Sequence, residues 1–260
     1  MHTLSQKDKI LFQEQGFLKI PGLLEKDYAI QLQHEIWKEL EEEFGIIEND
    51  PTSWRTPPHS PRKAKVSNTN INLINDHFRL IIDDLIGPDQ WKEPQSWGGF
   101  LINFPTENDT PLTLHDKLWH WDYELFREPE LGGLLIFSFY SSVPPGGGGT
   151  LIIKGSHRVL REWKASMTKE QINRKHGIHR KEIMKSHPYL KKLTSPPEHI
   201  DEHISYFMDS ESSVDGNKLQ VVQLIGEPGD VVFCHPRLIH APAEVNFNKF
   251  PRMMRTKFLW

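Results

Sequence analysis

The sequence predicts a mainly β domain flanked by helices, of the sandwich, jelly-roll or barrel kind. Three observations carry this. After Trp91, six short segments rich in aromatic and β-branched residues follow one another, each bounded by Gly, Pro or Asn. The first 90 residues instead space their apolar side chains by three and four, the helical period. The chain's 260 residues, 37% hydrophobic and 25% charged, suffice for one domain with a full core.

Taken in order, Ser5 is placed to cap a short helix that stops at Gly16. Phe17 to Ile20 then reads as a strand closed by Pro21 and Gly22. Ala29, Leu32, Ile36, Leu40 and Phe44 form one helical stripe, with Gly45 as its stop. Residues 46–68 are polar and carry prolines, which predicts a loop. Ile71, Ile74, Phe78, Ile81 and Leu85 form a second stripe, ended by Gly87 and Pro88. The six expected strands are 98–104, 134–140, 150–153, 219–225, 230–233 and 252–258. Between them, residues 158–218 are expected to be a helical insertion. Residues 158–192 carry eleven Lys and Arg against three acids, whereas 193–217 hold acids and no Lys or Arg. This charge pattern fits either a solvated insertion or a basic lid that draws in an anionic substrate.

A net charge of −4 argues against a nucleic-acid binder. No apolar run approaches the ~18 residues a membrane span needs, and the N-terminus lacks a signal-peptide pattern. One cysteine, Cys234, builds neither a disulfide framework nor a thiolate zinc site within the chain, so a cytoplasmic location is expected. Histidine is abundant, with 14 residues, and histidine is the commonest metal ligand.

His120 and Asp122 stand two apart. On extended backbone they share a face and can converge on one ion. The pattern is weak alone, since composition yields about one such pair by accident, and His199 with Asp201 is a second example. Context separates the two. His199 follows Pro196 and Pro197 within the acidic stretch, whereas His120 lies between strand-like segments and beside aromatic residues. A third ligand is expected from Gly229–His240, where His235 and His240 both qualify. Two His and one carboxylate on one face of iron(II) leave three positions free. A 2-oxo acid fills two and dioxygen the third. The distal carboxylate of a keto-diacid calls for a fixed bidentate cation, which is arginine's chemistry. Arg252 lies twelve residues beyond His240, and Arg255 three further on.

Four motifs in order make a resemblance specific. They are Leu101-Ile-Asn-Phe-Pro105 with His120-Trp-Asp122, then Gly147-Gly-Gly-Thr-Leu-Ile-Ile-Lys-Gly-Ser-His157, then Phe233-Cys-His-Pro-Arg-Leu-Ile-His240, and finally Arg252. The chain resembles the phytanoyl-CoA dioxygenase-like family of iron(II)/2-oxoglutarate oxygenases over roughly residues 17–258. The resemblance implies a double-stranded β-helix (jelly-roll, cupin-like) core with helices outside, and one oxygenase domain spanning 1–260. It implies His120, Asp122 and His240 as iron ligands and Arg252 as the partner of the distal carboxylate of 2-oxoglutarate. It further implies Asn103 and Phe100 as lining of the cosubstrate pocket. The implied reaction consumes dioxygen, releases succinate and carbon dioxide, and oxidises an unactivated C–H of a small molecule; the basic stretch 158–192 suits an anionic or carrier-linked one. Three positions depart from the family pattern. Pro242 stands where the family often has Ser or Thr, Cys234 separates Phe233 from His235, and Lys154 replaces the usual Pro. The rival readings are a cupin-type metalloenzyme that needs no oxo acid and a non-catalytic metal- or ligand-binding domain.

The remaining candidates read more simply as structure. His157 and His235 are expected in turns or support, His115 and Asp116 in a loop, and Lys63 and Lys65 in a solvated loop. Trp121 should point away from the metal, because its neighbours on both sides point toward it.

Overall fold

Side chains alternate along short strands, and that alternation sorts the apolar residues onto two faces of each sheet. The computed structural model describes residues 4–64, 74–94, 97–106, 110–126, 129, 131–243 and 245–260. Its strands are β1 (Phe17–Ile20), β2 (Phe100–Asn103), β3 (Leu134–Phe139), β4 (Leu151–Lys154), β5 (Ser212–Val214), β6 (Asn217–Gln223), β7 (Val231–Cys234), β8 (His240–Ala241) and β9 (Arg252–Leu259). One sheet runs β1-β7-β3-β9-β2 and the other β5-β6-β4-β8, and every pairing is antiparallel. This is the expected double-stranded β-helix.

Between the sheets lie Leu135, Phe137, Phe139, Val232, Cys234 and Met254 from the five-stranded sheet, against Ile152 of β4 and Leu224. The opposite face of the five-stranded sheet is covered by helices. Leu134, Ile136, Val231 and Phe233 meet Phe12 of α1 (Gln6–Gln15) and Phe78, Ile81 and Ile82 of α3 (Asp76–Ile86). Phe100, Tyr140 and Met253 meet Ala29, Leu32, Ile36 and Leu40 of α2 (Lys26–Phe44). Each such apolar side chain, fully buried, stabilises the fold by about 1.5–3 kcal/mol.

The helix ends follow their capping residues. Ser5 and Asp8 form a reciprocal capping box, and Gly16 ends α1 at φ +81° with its N–H on the Phe12 carbonyl. Gly45 ends α2 the same way. The second stripe starts later than its apolar spacing suggests. Asn75 accepts the Phe78 N–H and begins α3 at Asp76, so Ile74 lies ahead of the helix and Ile71 lies outside the described residues. The loop after α2 contains a 3-10 turn at Pro51–Ser53 and is then tied down by the buried Glu39 carboxylate. That carboxylate accepts the backbone N–H groups of Arg62, Lys63 (2.9 Å) and Ala64 (2.7 Å).

Residues 158–218 are not a purely helical stretch. Five helices, α4 (Ser156–Ala165), α5 (Lys169–Ile172), α6 (His176–Ser186), α7 (Pro188–Thr194) and α8 (Ile200–Met208), are followed by the β5–β6 hairpin. The hairpin turns at Asp215 and Gly216, both with positive φ, which suits the right-handed twist of its strands. The helices are not merely solvated either. Val159, Leu160, Ile183, Leu190, Leu193 and Phe207 bury the outer face of the four-stranded sheet at Leu151, Ile153, Leu219 and Val221.

Gly16 is also a packing position. Its carbonyl accepts the His235 N–H at 2.7 Å, and an added Cβ would stand 2.4 Å from Nδ1 of His157. Gly16→Ala combines a left-handed backbone cost of roughly 1–2 kcal/mol with overpacking of ~1–3 kcal/mol, so urea unfolding should show a loss of about 2–4 kcal/mol.

His157 and His235 stack with ring centroids 4.8 Å apart, and both are buried. Burial lowers the His157 pKa from 6.5 to about 4 and moves His235 in the same direction. Between those values the unfolded chain holds a proton that the folded chain lacks. Stability therefore falls as pH drops from 6.5 toward 4 and levels off below, by up to about 3 kcal/mol for His157. Chemical unfolding from pH 7 to 4.5 should show this decline, and His157→Gln should make it shallower.

Candidate metal centre

The site begins with two backbone hydrogen bonds. His120 N–H donates to the His240 carbonyl at 2.9 Å, and His240 N–H donates to the His120 carbonyl at 2.8 Å. This antiparallel bridge sets the two imidazoles on one face with centroids 4.2 Å apart. His120 does not lie in a full strand; the bridge alone extends the chain there, and Asp122 follows in a bend. The expected convergence of the pair still forms. Asp122 Oδ1 is 3.7 Å from His120 Nε2, and Oδ2 is 3.6 Å from His240 Nε2. One ligand atom from each of the three residues lies within 4.8 Å of the others, the one such group among the described residues.

Each imidazole is fixed from behind. His120 Nδ1 donates to the Leu118 carbonyl at 2.8 Å, and His240 Nδ1 donates to the Leu238 carbonyl at 3.0 Å. Both Nε2 atoms are left with their lone pairs toward the centre. Burial lowers the His240 pKa, the neighbouring His120 adds to that, and Asp122 opposes it. A neutral imidazole is the form that binds metal. His240 is buried, while the side chains of His120 and Asp122 are 27% and 39% exposed. Three ligands with an open side make a catalytic rather than a closed structural geometry.

Trp121 points away as expected, buried with Trp119 in the outer core. Ser156 was missed by sequence reasoning as support: its hydroxyl accepts the Ile239 N–H at 2.9 Å, one residue before the distal ligand. The carbonyls behind the imidazoles were also missed, although a shared signal exists. Leu118 and Leu238 each stand two residues before a ligand histidine.

Of the two distal candidates, His240 joins the cluster. His235 instead stacks on His157 and accepts the Arg237 N–H on Nδ1. His199 occupies the N-cap position of α8 without a side-chain capping bond and Asp201 lies in its first turn, and the pair joins no ligand group among the described residues. Thr113 holds the Asp116 carboxylate at 2.5 Å. Lys63 is exposed and pairs with Glu42 and Glu43, and Lys65 lies outside the described residues.

Arg252 and Asn103 face each other across the β2–β9 pair. Met254 shares the parity of Arg252 and packs between the sheets, so Arg252 turns inward. Its Nη1 donates to the Gly148 carbonyl at 2.7 Å. Its Nε is buried with no hydrogen-bond partner, and it has no carboxylate partner among the described residues. Burial lowers its pKa to about 10, which leaves it charged at neutral pH. A buried, charged and partly unsatisfied guanidinium requires an anion. The distal carboxylate of a keto-diacid meets that requirement, so the donor set fits both metal and cosubstrate. Asn103 donates to the Ala243 carbonyl at 2.7 Å, and Asn246 holds the Asn103 carbonyl at 2.8 Å.

Phe100 corrects the expectation. It lies three residues before Asn103 and so on the opposite face, packed on Tyr140 with the Arg255 guanidinium 4.6 Å from its ring centre. Leu101, not Phe100, reaches the inner face. Arg255 follows Phe100 outward, where it donates to the carbonyls of Gly98 and Trp97.

An antiparallel β-helix carrying two His and one carboxylate with open positions has the ligand set of non-haem iron(II) oxygenases. Residues 12–254 match the phytanoyl-CoA dioxygenase (PhyH) family, and the chain belongs to that family. No curated protein matches the chain in sequence. Among solved structures, the fold is similar to the non-haem α-ketoglutarate-dependent carbocyclase SnoK from nogalamycin biosynthesis. That match has 19% identity and TM-score 0.55, over 98% of this chain and 83% of that one. HygX from Streptomyces hygroscopicus, solved with nickel and 2-oxoglutarate bound, has 16% identity and TM-score 0.55, over 99% and 87%. AviO1 from Streptomyces viridochromogenes Tue57 has 14% identity and TM-score 0.53, over 100% and 96%.

Calorimetric titration with Co(II) should show His120→Ala and Asp122→Ala each losing more than the about 10–100-fold in affinity that loss of a supporting hydrogen bond costs. His235→Asn, folded by circular dichroism, should bind Co(II) as the wild type does.

Proposed function

We propose that the protein is an iron(II)- and 2-oxoglutarate-dependent dioxygenase that oxidises an unactivated C–H bond of a small molecule, releasing succinate and carbon dioxide. One observation carries the reading. The open His120–Asp122–His240 cluster sits in the same inner layer as a buried arginine that has no carboxylate partner among the described residues. Iron and 2-oxoglutarate, when bound, supply the oxidising chemistry.

The chain's own residues do the rest. His120, Asp122 and His240 would hold the metal, and the exposed side of the cluster would admit the keto acid and dioxygen. The Leu118 and Leu238 carbonyls keep both imidazoles in the metal-binding tautomer. Arg252 would neutralise the distal carboxylate, and the apolar layer of Phe137, Ile152 and Met254 keeps bulk water from one side of the centre. HygX holds 2-oxoglutarate on a similar fold, and SnoK uses it; both support the reading. Hydroxylation is the simplest outcome for such a centre. The basic stretch 158–192 adds positive potential suited to an anionic or carrier-linked substrate.

Anaerobic titration with iron(II) and then 2-oxoglutarate tests this. A visible metal-to-ligand charge-transfer band should appear with the wild type. Arg252→Ala should raise the Kd for 2-oxoglutarate about 30-fold or more, because it leaves the distal carboxylate buried and unpaired. Absence of the band in the wild type sinks the assignment. Indifference to Arg252→Ala favours a cupin-type enzyme without an oxo acid.

A further inference from the structure

The family pattern often places Ser or Thr two residues after the distal histidine, where its hydroxyl helps the arginine hold the cosubstrate. This chain has Pro242 there, with neither a hydroxyl nor an N–H. A buried carboxylate anchored by arginine alone would lack hydrogen-bond donors on its far side.

β8 pairs with β4 in the register Ile152 opposite His240 and Leu151 opposite Ala241. One further step of that register sets Thr150 opposite Pro242. Directly opposite residues share a face about 5 Å apart. Ile152 packs between the sheets and Leu151 outside them. Thr150 therefore faces inward, on the side that carries His240. Its other neighbour agrees, since Leu224 donates its N–H to the Thr150 carbonyl and also packs inward.

The arginine leans the same way. Arg252 Nη1 holds the Gly148 carbonyl at 2.7 Å, two residues before Thr150. An added Cβ on Gly148 would stand 2.7 Å from Asn103 Nδ2, so this segment runs against the inward face of β2 as well. Thr150 is only 4% exposed, and its side chain makes no hydrogen bond among the described residues. A hydroxyl with no partner in the protein is free to donate to an incoming carboxylate.

We infer that Thr150 donates its hydroxyl to the distal carboxylate of 2-oxoglutarate beside Arg252, replacing the donor lost at position 242. This rests on the function proposed above. It makes Thr150 a residue that selects keto-diacids over keto-monoacids, because only a diacid brings an acceptor to that hydroxyl.

The test measures binding rather than turnover. Wild type, Thr150→Val and Thr150→Ser are loaded anaerobically with iron(II) and titrated with 2-oxoglutarate or with pyruvate, which chelates the metal but lacks the distal carboxylate. Co(II) affinity is measured in parallel. Thr150→Val conserves shape and should weaken 2-oxoglutarate about 10–100-fold, the loss of one hydrogen bond to a charged group. Thr150→Ser should stay within about threefold of wild type, since the donor remains. Pyruvate and Co(II) should bind all three proteins equally. Unchanged 2-oxoglutarate affinity in Thr150→Val overturns the inference. So does an equal loss for pyruvate, which marks a packing role. If wild type binds 2-oxoglutarate and Arg252→Ala weakens it while Thr150→Val does not, only the role of Thr150 falls. If wild type forms no 2-oxoglutarate complex, the cosubstrate assignment falls with it.

Discussion

The reciprocal backbone hydrogen bonds between His120 and His240 are the constraint on which the site depends. Two residues far apart in the chain become direct neighbours through those bonds, while β4 holds His240 from its other side. Everything from β3 to the β7 return lies between the two imidazoles along the chain. The Leu118 and Leu238 carbonyls then turn the rings so that both Nε2 atoms meet one carboxylate. Two lone pairs and an anion so close together repel or compete unless a cation sits among them. The cluster is a site built for a positive ion.

Strand parity divides the labour. Arg252 and Arg255 are the same residue type on one strand, three positions apart. Arg255 turns outward, bonds the Gly98 and Trp97 carbonyls and covers Phe100. Arg252 turns inward and keeps a buried donor unsatisfied. Phe100 and Asn103 repeat the division on β2. Outer faces bury apolar area against helices and hold the fold together. The inner face, at the end near β8, gathers the polar groups that a ligand completes.

The loop elements serve the same end. Gly155 at φ +80° lets β4 turn directly into α4, and Ser156 takes the N–H of Ile239. His157 fills the space that only a glycine at position 16 leaves open. The Gly-Ser-His motif is thus structural support for the distal ligand rather than chemistry of its own.

Much of this was legible along the chain because it is local. Caps at Ser5, Gly16 and Gly45, strand boundaries at Gly and Pro, and the two-residue spacing of His120 and Asp122 each involve a few neighbours. Parity separated Arg252 from Arg255 and turned Trp121 outward. Other features were legible only in part. Asp215 and Gly216 form a hairpin turn inside a charged stretch that reads as helical, and Phe100 was placed by resemblance on a face its own parity denies it. His240 rather than His235 was named by resemblance, but no spacing within the 229–240 segment separated the two, and which residue lies across from Pro242 was decided by tertiary structure alone. Spacing within a strand sets which side chains share a face. Only the pairing register between distant strands says which of those faces meet, because that register follows from how the whole core closes and not from any one segment.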